Sequence, residues 1–143
     1  MSTAAAPIPG ATVVRSDPAA QAYLLLRVVF VLAPIVFGLD KFAGVLTDDW
    51  TRYLAPEFND LIPGSAATAM HIVGVVEIAA GLVVLLTPRW GALLVAGWLA
   101  GIILNLLLVG GYGDVAMRDF RLLAGALALN RLATAAGAKT PAA

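Results

Sequence analysis

A glutamate stands in the middle of an apolar run long enough to cross a lipid bilayer. Residues Met70–Leu86 read MHIVGVVEIAAGLVVLL, with Glu77 near the centre, Gly74 three residues before it and Gly81 four after. Helical spacing puts both glycines on the face that carries the carboxylate. An ionised side chain at bilayer depth costs about 2.5–3.5 kcal/mol on insertion scales. A lipid-facing helix does not carry such a group, so this run must pack against other helices that compensate it. The rest of the chain is read here as what surrounds Glu77.

Composition points the same way. The 143 residues are 61% hydrophobic and 13% charged, whereas soluble domains are roughly 45–50% apolar and about 25% charged. The chain is an all-α integral membrane protein by this measure. Its formal net charge is zero, which argues against nucleic acid as a partner. It has no cysteine, and so no thiolate nucleophile, disulfide relay or thiolate metal site. With one histidine, His71, a histidine-rich metal or haem centre is not expected. Glycine-rich phosphate loops and nucleophile elbows are absent from the sequence.

In chain order, Met1–Pro18 is rich in Ala and Pro and reads as a disordered tail. A first span is expected from about Ala19 to Leu39, started by Asp17-Pro18, carrying Arg27 and kinked by Pro34. Asp40–Gly64 is the one sizeable extramembrane segment, and it is acidic. Within it Thr47-Asp48-Asp49 followed by Trp50, Tyr53 and Leu54 predicts a short amphipathic helix at the membrane interface. Ser65 is a candidate N-cap for the second span, about Ala66–Leu86. The tight turn Thr87-Pro88-Arg89 forces the third span, about Trp90–Val109, to run antiparallel beside it. After Gly110–Gly113, Asp114 is placed to cap the last helix and to pair with Arg118. That helix is expected over about 115–136, followed by a short tail, 137–143. The fold expected is therefore a four-helix transmembrane bundle with a short interfacial helix between the first and second spans. Arg15, Arg89, Arg131 and Lys139 fall on one side and the acidic loop on the other. The positive-inside rule then puts both termini in the cytoplasm.

Counted from the helix ends at about 1.5 Å per residue, the polar residues sort by depth. Arg27 and Glu77 fall at one level, with Asn130 in the same inner half; Lys41, His71, Asn105, Arg118 and Asp119 fall in the outer half. Two readings of an inner Arg27–Glu77 pair stay open. It is a structural lock between two helices, or it lines a ligand or proton site. His71 and Glu77 are six residues apart and do not share a helical face. Lys41 and Arg118 are placed to snorkel to the surface. Gly97, Gly101 and Asn105, at four-residue spacing, predict a helix-packing face, and Gly74, Gly81 and Gly97 permit close approach.

Three short elements resemble one family. Gly38-Leu39-Asp40-Lys41-Phe42 after a span with an early arginine, Glu77-Ile78-Ala79-Ala80-Gly81-Leu82 before a Pro-Arg turn, and Arg118-Asp119-Phe120-Arg121-Leu122-Leu123 are similar to motifs of DoxX-like membrane proteins. The resemblance runs from about Leu26 to Leu129. It implies a four-helix protein of the bacterial inner membrane. It also points to Arg27, Lys41, Glu77, Arg118 and Asp119, and to a role linked to sulfur-compound oxidation with quinone as acceptor or to oxidative-stress complexes. The expectation is a membrane subunit or quinone-facing anchor of a redox assembly, surrounded by lipid, completed by a protein partner and not a self-sufficient enzyme. A small carrier or channel using Glu77 and a non-catalytic assembly factor are the alternatives.

Overall fold

A computed structural model of the chain describes residues 17–138. Met1–Ser16, which hold most of the expected N-terminal tail and Arg15, lie outside the described residues, as does Lys139. Within them the chain is helical, with no strand among the described residues. The elements are α1 (Pro18–Ala43), a single 3₁₀ turn (Trp50–Tyr53), α2 (Pro56–Asn59), α3 (Ala66–Leu86), α4 (Pro88–Val109) and α5 (Gly113–Ala138).

Local chemistry explains the boundaries. The Asp17 carboxylate accepts the Ala19 N–H at 3.0 Å with Pro18 in the first turn, so α1 starts where the sequence indicates. The helix runs unbroken through Pro34 and one turn past the expected end at Leu39. It stops at Gly44, whose φ of 63° is a left-handed conformation that glycine adopts without a Cβ penalty. Ser65 caps α3 by accepting the Thr68 N–H. Asp49 caps the 3₁₀ turn, and hydrogen bonds from the Thr51 hydroxyl and amide hold its carboxyl below the usual carboxylate range. In place of the expected interfacial helix there is this one turn, which ends where Leu54 adopts extended backbone, and the separate short α2 that Pro56 begins.

Three helices, α1, α3 and α4, are long and apolar enough to cross a membrane. The fourth long helix, α5, has 26 residues but carries Asp114, Arg118, Asp119, Arg121 and Arg131. It packs along α4, while α1 packs along α3, and the α3–α4 contact joins the two pairs. Between them lie Phe30, Val84, Val95, Leu99 and Leu129, interleaved with Ala80, Ala92 and Ala126. Small residues are what let membrane helices approach, since hydrocarbon outside offers no hydrophobic drive to associate.

α1 and α3 approach almost to backbone contact. A Cβ on Gly38 would lie 2.6 Å from the Gly74 carbonyl oxygen, and one on Gly81 would lie 2.8 Å from that of Val31. Gly91 meets the Val84 backbone in the same way across the α3–α4 turn. Gly97 and Gly101 differ: nothing lies within 4 Å of where their Cβ atoms would be. Of the packing face expected there, only Asn105 meets a partner among the described residues. A pair of substitutions separates the two kinds of glycine. Gly38→Ala forces backbone apart and should lower stability by about 1–3 kcal/mol. Gly97→Ala should be neutral or stabilising by up to about 1 kcal/mol. Reversible unfolding in mixed micelles measures both.

Candidate functional site

Glu77 sits on the α3 face that contacts α1, between Gly74 and Gly81, and its ionic partner is Lys41. The Lys41 ammonium donates to Glu77 Oε2 at 2.7 Å, with the two side chains only 5% and 11% exposed. Lys41 therefore turns inward, opposite to the snorkelling its position near a helix end suggests. The pair is charge-assisted and short.

Arg27 does not reach Glu77. Its guanidinium donates to the Leu85 carbonyl oxygen at 2.6 Å and lies beside Tyr23, whose hydroxyl is 3.4 Å away. Leu85 is in the last turn of α3, where carbonyls have no intrahelical partner and the helix dipole is negative. Arg27 thus ties α1 to the end of α3. The equal-depth estimate failed because the two helices are not flush. With Gly38 against Gly74 and Ile78, and Gly81 against Val31 and Ile35, the α1 residues level with Glu77 are Ile35–Gly38. Arg27 lies about two turns below them, and Lys41 about one turn above, within reach of its long side chain.

A second carboxylate fixes the geometry from outside. Asp40, 4% exposed, accepts the N–H groups of Val45 and Leu46 at 2.8 Å each and of Thr47 at 3.2 Å. It also accepts the Trp50 indole N–H at 3.0 Å. An acid in the last turn of a helix opposes the dipole and needs such donors. The result is that the Trp50 ring is held over Lys41, with the ammonium 3.9 Å from the ring centroid. Asp40, Trp50, Lys41 and Glu77 form one connected chain from the loop into the bundle. The sequence offered a signal for Asp40 and Trp50, an acid at a helix C-terminus and an indole in an otherwise acidic loop, but not their connection.

Asn105 anchors the middle of the loop. Its Oδ1 accepts the Ala55 N–H at 2.8 Å, and its amide donates to the Tyr53 carbonyl. Tyr53 also packs against Tyr112, with ring centroids 5.0 Å apart. Asn130 does the equivalent work at the opposite end, donating to the Arg89 carbonyl at 2.8 Å. Arg118 is exposed and pairs with Asp114 at 3.6 Å, as the spacing predicted. Asp119 is half-buried and lies on the Glu77 side of α5, near enough to interact with that carboxylate. The Trp98 indole N–H is buried beside Glu77 without a well-formed hydrogen bond. The expected outer layer is therefore divided: Lys41 and His71 share a cavity, Asn105 belongs to the loop anchor, and Arg118 and Asp119 point to different surroundings.

That cavity is a cleft of about 250 Å³ between the end of α1, the loop and the start of α3. Lys41, Asp48, Asp49, Trp50, Met70 and His71 are among its walls. His71 stacks on Phe42, with centroids 4.8 Å apart and planes 9° from parallel. Of the three N–H donors of Lys41, one is taken by the Glu77 carboxylate, and the Trp50 face lies against the ammonium. No group of three or more His, Cys, Asp or Glu side chains suited to a metal occurs among the described residues.

Long apolar helices closed around a buried ion pair define a helical integral membrane protein with a small polar opening at one end. The DoxX family model matches residues 22–110, well over half the chain, and the protein belongs to the DoxX family. The matched segment includes Arg27, Lys41, Glu77 and Asn105 and ends before Arg118-Asp119. No curated protein and no solved structure shows a significant match to the chain.

A double-mutant cycle tests the pairing. Lys41→Met alone leaves a buried carboxylate unpaired and should cost about 3–5 kcal/mol, most of which Lys41→Met with Glu77→Leu should recover. Arg27→Leu added to Glu77→Leu should instead lower stability further, because Arg27 serves the α3 terminus. Unfolding free energies of the five proteins measure this.

Proposed function

We propose that the protein is a membrane subunit of a redox assembly whose outer cleft receives the ring of a quinone. The observation that carries this reading is Lys41 in the wall of the cleft, its ammonium held between the Glu77 carboxylate and the Trp50 ring. A donor positioned on both sides needs little reorganisation to meet a ring carbonyl. The volume, below the roughly 300–1,000 Å³ of drug-sized ligand sites, suits one ring, and Trp50 and Phe42 supply aromatic walls. His71, stacked on Phe42, adds an imidazole to the same wall. Reducing a quinone to a quinol takes two electrons and two protons. In this reading the electrons come from a partner subunit, and this chain, which has no cysteine, passes none through thiols. The protons enter from the cleft.

In this reading α5 completes the bundle as a fourth span, packed along α4, with Arg118 paired to Asp114 near one end and Asn130 bonded to the Arg89 carbonyl near the other. Arg89 and Arg131 face the cytoplasm, the cleft faces outward, and the membrane is the bacterial inner membrane. A second reading, proton carriage across the bundle, is favoured by Trp98 and Asp119 beside Glu77, which extend the polar route inward from the cleft. Proton flux in proteoliposomes that is lost in Glu77→Gln supports it; flux that is unchanged argues it away.

Two experiments test the main reading. The chain has no cysteine, so single-cysteine variants carry no background. Asp48→Cys should react with an impermeant maleimide on intact spheroplasts, and Thr87→Cys only after permeabilisation. In nanodiscs a tail-less quinone should bind, measured by calorimetry, and binding should weaken tenfold or more in the refolded Lys41→Met, Glu77→Leu pair, as expected for loss of a hydrogen bond from a charged donor. Absence of binding to the unmodified protein contradicts the proposal.

A further inference from the structure

The polar cleft has an apolar neighbour. A groove of about 280 Å³ runs along the outer half of α3, lined by Phe42, Thr68, His71, Ile72, Val75 and Val76, and its surface presents no polar atoms. The α3 residues are spaced one turn apart, so the groove descends along one helical face from the outer end toward the bilayer centre. Phe42 and His71 belong to both cavities. Their stacked rings form the partition between a compartment that holds Lys41, Asp48 and Asp49 and one that is purely hydrocarbon-like. Ile72, Val75 and Phe42 are each about half exposed, so this second compartment opens sideways to the lipid rather than to water.

We propose that the groove holds the hydrocarbon tail of the ligand whose head occupies the cleft, so that the ligand is a tailed amphiphile entering laterally from the outer leaflet along α3 beside Phe42. The inference rests on the head-group site proposed above. Two adjoining cavities of opposite polarity, with a shared wall, match a molecule with a polar ring at one end and a chain at the other. From His71 to Val76 is about 7–8 Å along the helix axis, room for the first four to six carbons of a chain. Groove and lipid are equally apolar, so the groove contributes little affinity by itself. Its role is to fix the direction of entry and the orientation of the ring against Lys41.

The test therefore reads position rather than affinity. A quinone bearing a diazirine on the fourth tail carbon is photolysed with the protein in nanodiscs, and labelled residues are mapped by mass spectrometry. Label is expected on Phe42, Ile72, Val75 or Val76, and an excess of tail-less quinone should reduce it at least fivefold. Val75→Trp, which fills the groove, should remove that label while calorimetric binding of the tail-less quinone stays within twofold. Label spread over lipid-facing residues such as Leu93 and Leu104 overturns the inference. So does groove label that tail-less quinone does not compete, or that a diazirine phospholipid gives equally, since the groove would then hold ordinary lipid. Failure of the tail-less quinone to bind is a separate result that removes the head-group site and the inference with it.

Discussion

The ion pair between Lys41 and Glu77 is the constraint on which the rest of the structure depends. Within a bilayer neither charge is tolerated alone, and together they are tolerated only when close and shielded. Lys41 comes from the last turn of α1 and Glu77 from the middle of α3, so the pair exists only if the two helices approach almost to backbone contact. Gly38, Gly74 and Gly81 make that approach possible and set its register. The pair in turn restricts how the helices can slide, because a shift of one turn would separate the charges by about 5.4 Å more.

What lies outside the bundle serves the same pair. Asp40 gathers the backbone of Val45–Thr47 and the indole of Trp50 into one turn, which places an aromatic face over the ammonium. Asn105 fastens the middle of the loop, at Tyr53 and Ala55, to α4. Held at these two points, the first half of the acidic segment forms a wall, and a cleft results between it and α3. The single most buried cation of the site is thus reached from the outer side only through residues the loop positions.

Much of the architecture was legible in the sequence because it follows from local chemistry. Hydropathy located the membrane helices, and Asp17-Pro18, Ser65 and Thr87-Pro88 marked their boundaries. That Glu77 needs a compensating helix followed from burial alone. The partner was not legible, since depth counted from helix ends assumes that helices start and stop together. α1 extends to Ala43, and the glycine contacts offset it against α3, so Lys41 rather than Arg27 meets the carboxylate. The glycine spacing that reads as a packing face was likewise correct for Gly74 and Gly81 but empty for Gly97 and Gly101. Spacing defines a face without stating what covers it. Asp40 was hidden for a different reason: its role depends on loop backbone that folds back onto it, a non-local arrangement that no period reveals.

The most direct measurement of the central claim is a through-space contact in a lipid bilayer. Solid-state NMR on protein carrying ¹⁵N-lysine, ¹⁵N-arginine and ¹³C-glutamate should show dipolar transfer between the Lys41 Nζ and the Glu77 side-chain carboxyl carbon, consistent with the 2.7 Å ion pair. It should show none from the Arg27 guanidinium to Glu77. Transfer from Arg27 to Glu77, or a Lys41 ammonium with no carboxylate contact, would contradict the account.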